Sequence, residues 1–311
     1  MLTESHFHAP WWARNPHLQT ILPKWLRRSP ARFIQERFEL PDGDFVDLAW
    51  SGEPGQDEQP LVVVFHGLEG SIHSHYAKGL FAHLQRQGNE AVLMHFRGCS
   101  GEPNRLLQAY HSGAIEDAQT VIAELGRRFP GRPLVAIGYS LGGNMLVNLL
   151  ARACPAPLKA AVVVSAPLQL ASCADRVNQG FSRVYQNYLL RTMRTNLQSK
   201  IRRQSAARAR WQPAQITRIA TLREFDELVT APLHGFESAD QLLPDLLRPG
   251  PAGPHSHPDP RHSRRRRSLH DRCRHSGGGA ALPSGALRAE PPGRPRGLPA
   301  RLSLAPPFLA G

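Results

Sequence analysis

The 311 residues, 41% of them hydrophobic, suffice for one large α/β domain or two small ones with a sizeable core. The net charge of +13 is unevenly spread: residues 241–311 hold 12 Arg, no Lys, 3 Asp and 1 Glu, a formal +8, which leaves +5 for residues 1–240. No stretch reaches 18 apolar residues and the first 12 are too polar for a signal peptide, so neither a transmembrane segment nor secretion is expected. Cys99, Cys154, Cys173 and Cys273 show no paired spacing and read as reduced thiols, which makes the cytoplasm the expected location.

Residues 1–32 read as an N-terminal arm. Phe33 to Leu40 and Phe45 to Trp50 are strand-like runs flanking the turn signal Pro41-Asp42-Gly43-Asp44, which predicts an opening β-hairpin. Leu61 to His66 is a continuous apolar run, the pattern of a strand covered on both faces in a parallel sheet. A helix is expected around Tyr76 to Gln87, with Leu80, Phe81 and Leu84 at helical spacing, and Ala91 to Phe96 is the next buried strand. Ile115 to Phe129 places Ile115, Ala118, Val121, Ile122 and Leu125 on one helical face and stops at Pro130. Leu134 to Tyr139 is a third such strand, Gly142 to Ala153 a helix, and Ala160 to Ser165 a fourth strand. This alternation is the signature of a parallel, doubly wound sheet. From Leu168 to about Arg210 the pattern is helical and rich in Arg and Gln. An insertion after a strand lies over the crevice where open α/β sheets bind ligands, so this segment is either a lid or a peripheral helical pair with a solvated basic face.

Gly138-Tyr139-Ser140-Leu141-Gly142 matches G-x-S-x-G and falls directly between a buried strand and an apolar helix. A sharp strand-to-helix turn strains its central residue, and Gly138 and Gly142 leave room for the close approach of the backbones. Ser140 Oγ then stands at the sheet's C-terminal edge and at a helix N-terminus, where the dipole favours developing negative charge. His66-Gly67-Leu68-Glu69-Gly70 follows the first buried strand, the place from which such folds supply a second oxyanion donor. The N–H groups of Leu68 and Leu141 are therefore the expected oxyanion pair, with Gly67 as the glycine of that turn. His66 precedes the nucleophile at a strand end and reads as structural, and Arg97, in Phe96-Arg97-Gly98-Cys99-Ser100-Gly101, reads as fixing its loop.

These motifs, together with Asn15-Pro16-His17-Leu18-Gln19-Thr20, Gly138 to Asn144, Phe225-Asp226 and Thr230 to Phe236, resemble the YheT-type α/β-hydrolases, relatives of the mammalian ABHD acylglycerol and phospholipid hydrolases. The match covers about residues 10 to 240. The resemblance implies an α/β-hydrolase fold, a mostly parallel doubly wound sheet with a helical lid, over residues 33–240. It also implies a Ser-His-Asp esterase or lipase with a small-molecule or lipid ester substrate and no metal or organic cofactor. Peripheral membrane contact is compatible with it. The family's chain order is Ser, then Asp, then His, so both partners of Ser140 belong after residue 240.

There the sequence departs from the family. Residues 241–311 contain 13 Pro and 9 Gly and no Val, Ile or Thr, so a disordered tail without the last sheet strands is expected. His255, His257, His262, His270 and His275 lie in no strand-end loop, and the triad Asp and His are not present in this frame. Reading codon positions two and three of each residue with the first base of the next tests a shifted frame. Ser256 to Leu269 then permits P-T-L-I-L-V-I-H-A-V-D-D-P-F, an apolar strand with an Asp-bearing loop, and Gly293 to Leu298 permits G-G-H-V-G-F. Both strings appear in family order, in one shifted frame, so a frameshift near Asp240 to Leu242 is inferred, with impaired catalysis as its consequence. Two readings from other classes stay open: a non-catalytic hydrolase-fold scaffold, and a binder of nucleic acid or anionic surfaces through Arg264-Arg265-Arg266-Arg267 and the basic 191–210 helices. No nucleic-acid-binding motif is present, so no specific nucleic-acid partner is expected.

Overall fold

The computed structural model describes residues 11, 14, 15, 18, 32–55 and 58–243. Most of the N-terminal arm and residues 244–311, with the five tail histidines and the expected frameshifted segment, lie outside the described residues.

Strands β1 (Ile34–Glu39) and β2 (Phe45–Trp50) pair antiparallel as the expected hairpin. Gly43, at φ +83°, closes the turn by donating its N–H to the Leu40 carbonyl at 3.0 Å. Then β3 (Leu61–Phe65), α1 (His75–Arg86), β4 (Ala91–Met94), α2 (Glu116–Arg128), β5 (Leu134–Tyr139), α3 (Leu141–Arg152) and β6 (Leu158–Val164) alternate along the chain. The sheet order is β1-β2-β4-β3-β5-β6, with β4, β3, β5 and β6 mutually parallel and β2 antiparallel to β4. The strands expected to reach His66 and Phe96 stop at Phe65 and Met94. Beyond them the backbone leaves the ladder, and the His66 imidazole takes the Phe96 N–H at 3.0 Å.

Alternation along β3 explains its unbroken apolar run. Leu61, Val63 and Phe65 face the cluster formed with Ile122 and Leu125 of α2 and Met145 and Leu149 of α3; Val62 and Val64 face Leu80, Phe81 and Leu84 of α1. Each fully buried Leu, Val or Phe contributes about 1.5–3 kcal/mol. The covered central strands thus hold the sheet rather than β1, whose residues are half-buried or exposed. Among the described residues the sheet ends at β6, which is only partly covered and leaves Val163 38% exposed.

After β6 the chain is helical through residue 242: α4 (Leu170–Val177), α5 (Ser182–Arg203), α6 (Ser205–Arg210), α7 (Pro213–Arg218), α8 (Leu222–Phe225), a π-helical turn (Asp226–Thr230), α9 (Ala231–Leu233) and α10 (Ala239–Leu242). The helical run does not stop near 210. Leu190, Met193, Leu197 and Ile201 form one stripe of α5 and bury Trp211, Ile216, Ile219, Phe225 and Val229 from the later segments. Leu68 and Leu107 from the sheet body pack into the same cluster, so the helices sit as a lid on the sheet's C-terminal side. No described helix is long and apolar enough to cross a membrane. Cys99 and Cys173 are free thiols, as their spacing predicts. Cys273 lies outside the described residues.

Candidate active site

Ser140 occupies the one-residue turn between β5 and α3 with φ 49° and ψ −116°, a conformation an L-residue adopts only under constraint. The constraint is visible: its N–H donates to the Val164 carbonyl of β6 at 2.8 Å and its carbonyl accepts from Asn144 at 3.0 Å. Asn144, fully buried, donates in turn to the Pro167 carbonyl at 2.7 Å, which ties the elbow to the chain leaving the sheet. The turn needs its glycines. A Cβ on Gly138 would come within 2.6 Å of the Gly142 carbonyl oxygen, and one on Gly142 would overlap the His66 carbonyl oxygen.

The loop after β3 presses against this elbow. A Cβ on Gly67 would meet the Ser140 Cβ at 3.3 Å, and the Gly67 N–H donates to the Tyr76 hydroxyl at 2.9 Å. Leu68, Leu141 and Ser140 border one cavity of about 310 Å³ beneath the lid. As the first residue of α3, Leu141 has an N–H without an intrahelical acceptor, and among the described residues no carbonyl accepts the Leu68 N–H. Next along the loop, Glu69 adopts φ +53°, and its N–H donates to the Tyr110 hydroxyl at 2.9 Å. Tyr110 returns its proton to Glu69 Oε1 at 2.9 Å, and Asn196 of α5 donates to Oε2 at 2.7 Å. Burial pushes the Glu69 carboxyl up, and these two hydrogen bonds pull it back. The loop bearing one expected oxyanion donor is thereby bonded to the lid.

His66 is fully buried, with Nδ1 on the Gly67 carbonyl at 2.7 Å and Nε2 accepting from Phe96, and burial holds its pKa down to about 3. It is a spacer between two loops. Arg97 also behaves as expected: its guanidinium, 5% exposed, meets Asp42 at 2.7 Å, Asp44 at 3.1 Å and Asp117 at 2.6 Å, joining the hairpin turn to α2. His111 borders the Ser140 cavity, accepts the Gly113 N–H at Nδ1 and lies edge-on to His234 at 4.4 Å. Burial, then His234, then Arg152 keep its pKa near 3. Among the described residues no hydrogen bond joins the Ser140 hydroxyl to a histidine or a carboxylate.

Asn144 and Glu69 belong to the motifs around Ser140 and Gly67, which give them no role of their own, and Tyr110 and Asn196 carry no sequence signal. Asp226, of the Phe225-Asp226 pair, lies on the π-helical turn and borders the cavity. Burial raises its pKa from 3.8 to about 6, and the Thr230 hydroxyl offsets part of this. The folded state therefore holds this proton more tightly than the unfolded chain does. The associated stability is full below about pH 4 and is lost as pH rises through 6. Asp226→Asn, which mimics the protonated form, is expected to raise stability near pH 8 by up to roughly 3 kcal/mol and to change little near pH 4, read as melting temperature at the two pH values.

A serine held at positive φ between a parallel strand and a helix, on a sheet of this order and under a helical lid, defines an α/β hydrolase. The family model described as the alpha/beta hydrolase fold matches residues 60–218, and the chain belongs to that family. It is 50% identical over 232 residues to YheT of Escherichia coli (strain K12), a protein named as an esterase, covering 72% of this chain and 67% of that one. Phospholipase ABHD3 of Mus musculus is 23% identical over 252 residues, 79% of this chain and 61% of that one. Monoacylglycerol lipase of Saccharomyces cerevisiae (strain ATCC 204508 / S288c) is 25% identical over 193 residues, 60% of this chain and 42% of that one. The chain thus spans between 42% and 67% of the length of these relatives. By family it is a hydrolase of the esterase and lipase type.

Proposed function

We propose that the intact gene product is a serine hydrolase of carboxylic esters, a carboxylesterase or acylglycerol lipase, working through an acyl-enzyme. Ser140 Oγ attacks the acyl carbon while a histidine takes its proton, and the tetrahedral oxyanion is held by the N–H groups of Leu68 and Leu141. The histidine returns the proton to the departing alcohol, and water repeats the sequence on the acyl-serine. The observation that carries this reading is the Ser140 backbone, at φ 49° and ψ −116°, at the floor of a largely apolar cavity. The names of the lipase and phospholipase relatives support an acyl-chain substrate.

We assign residues 33–240 to the catalytic body with its lid. We attribute the rest to a frameshift near residue 241, which withholds the triad Asp and His. Half-identity to YheT over 72% of this chain, with the remainder of both proteins outside the match, supports that assignment. Without its base Ser140 loses most of its activation. Fluorophosphonate labelling of the 311-residue protein is the direct test. Slow labelling confined to the Ser140 peptide and absent in Ser140→Ala is expected, whereas labelling elsewhere, or unchanged in the variant, removes Ser140 as nucleophile.

A further inference from the structure

Six acidic or basic side chains (Asp, Glu, His, Lys or Arg) border the Ser140 cavity, and five of them are committed to other groups. Arg97 is taken by three aspartates, and Glu102 pairs with Arg37 at 2.7 Å. Glu69 is held by Tyr110 and Asn196. Lys200 donates to the carbonyls of Leu106, Leu107 and Gln108 at 2.9, 3.1 and 3.2 Å. His111 accepts from Gly113. The sixth, Asp226, has the Thr230 hydroxyl as its hydrogen-bond donor and no cation beside it among the described residues.

Its neighbours do not supply the missing charge. On α8, Arg223 pairs with Asp175 at 3.6 Å and with Asp240 of α10, and Glu224 accepts the Ala220 N–H at 2.6 Å. Glu227, on the π turn itself, accepts the Ala239 N–H at 2.6 Å, and the His234 ring stands against His111. The apolar walls near Asp226 come from Leu222, Phe225, Val229 and Leu233. An ionised carboxylate without a counter-ion in such surroundings is costly, and a cation arriving with a ligand removes that cost. Asp226 opens a π-helical turn, a geometry that is rare and frequent at functional sites.

We propose that Asp226 makes this cavity a receptor for a cationic amphiphile, an ester whose apolar chain lies along the lid and whose ammonium group meets the Asp226 carboxylate. The proposal rests on the reading of this cavity as the ester site and names its substrate class. It runs against the overall charge of the protein, which at +13 favours anions wherever binding is unspecific. Cation binding is competitive with the proton on Asp226, so affinity rises with pH through the pKa of about 6.

The test is calorimetric titration of the full 311-residue protein with decyltrimethylammonium and with decyl sulfate, both below micelle formation and both of fixed charge. Near pH 8 the ammonium is expected to bind about tenfold or more tightly than the sulfate. That preference should be lost near pH 5 in the unaltered protein, and at both pH values in Asp226→Asn. The fluorophosphonate label reports on Ser140 and the ammonium preference on Asp226, so the two results stand or fall separately. Equal or tighter binding of decyl sulfate near pH 8, or an ammonium preference that survives in Asp226→Asn, overturns the proposal. The loss near pH 5 needs no variant, and so guards against a substitution that perturbs the fold.

Discussion

Deletion of one base near codon 241 is expected to raise hydrolysis of short-chain p-nitrophenyl esters by on the order of 10³ to 10⁴ over the 311-residue form. The gain should vanish on Ser140→Ala. The reasoning is chemical: at neutral pH a serine hydroxyl must hand its proton to a positioned imidazole, and the shifted frame supplies both an Asp loop and a Gly-Gly-His segment. It is also structural, since the repaired chain gains strands that can pair with β6, whose Val163 is 38% exposed. The 311-residue form is accordingly expected to aggregate more readily, which light scattering would follow. Equal activity in the two forms would place the base within residues 1–243, with His111 and His234 the first to be replaced. Inactivity of both would leave the fold and remove the esterase.

The second large effect is on folding. Gly142→Ala is expected to destabilise the protein by about 3 kcal/mol or more, or to abolish soluble expression. Its Cβ would overlap the His66 carbonyl oxygen and stand 2.6 Å from that of Phe65, both backbone atoms at the end of β3 that cannot rotate away. Relief requires α3 to lift from the sheet, carrying Ser140 and Leu141 with it. Gly79→Ala is the matched control. It lies in α1 with nothing within 4 Å of the added carbon, and exchange there should stabilise the helix by about 0.5–1 kcal/mol. Urea titration of the two variants separates the cases; similar midpoints would show that the elbow tolerates a side chain.

The parts of the fold legible in the sequence are those whose burial is two-sided or periodic. The Leu61–Phe65 run, the Ile115–Leu125 stripe and the Ser140 elbow each declare themselves within a dozen residues, because strand coverage, helix phase and turn sterics are local. The lid was readable only as far as α6, since α7 to α10 are short, broken by Pro213, and amphipathic only against one another. Glu69, Tyr110 and Asn196 were not readable as a unit. Each is an ordinary polar residue until the fold brings 69, 110 and 196 together. The π turn at Asp226 likewise leaves no pattern, since one extra residue in a helix changes the phase without changing the composition.

The bridge from Glu69 to Asn196 spans 127 residues of chain, and that from Tyr110 spans 41. Contacts of such separation are closed late, because the loop entropy they cost is recovered only once the intervening segments have condensed. At a synthesis rate of about 5–20 residues per second, Asn196 leaves the ribosome some 6–25 s after Glu69. For that interval β3, α1 and β4 can condense while the carboxylate beside the expected oxyanion donor has neither lid nor amide to meet it. The shape of the loop after β3 is then a product of the final docking step, and a nascent chain that has its sheet does not yet have the cavity wall that this loop forms.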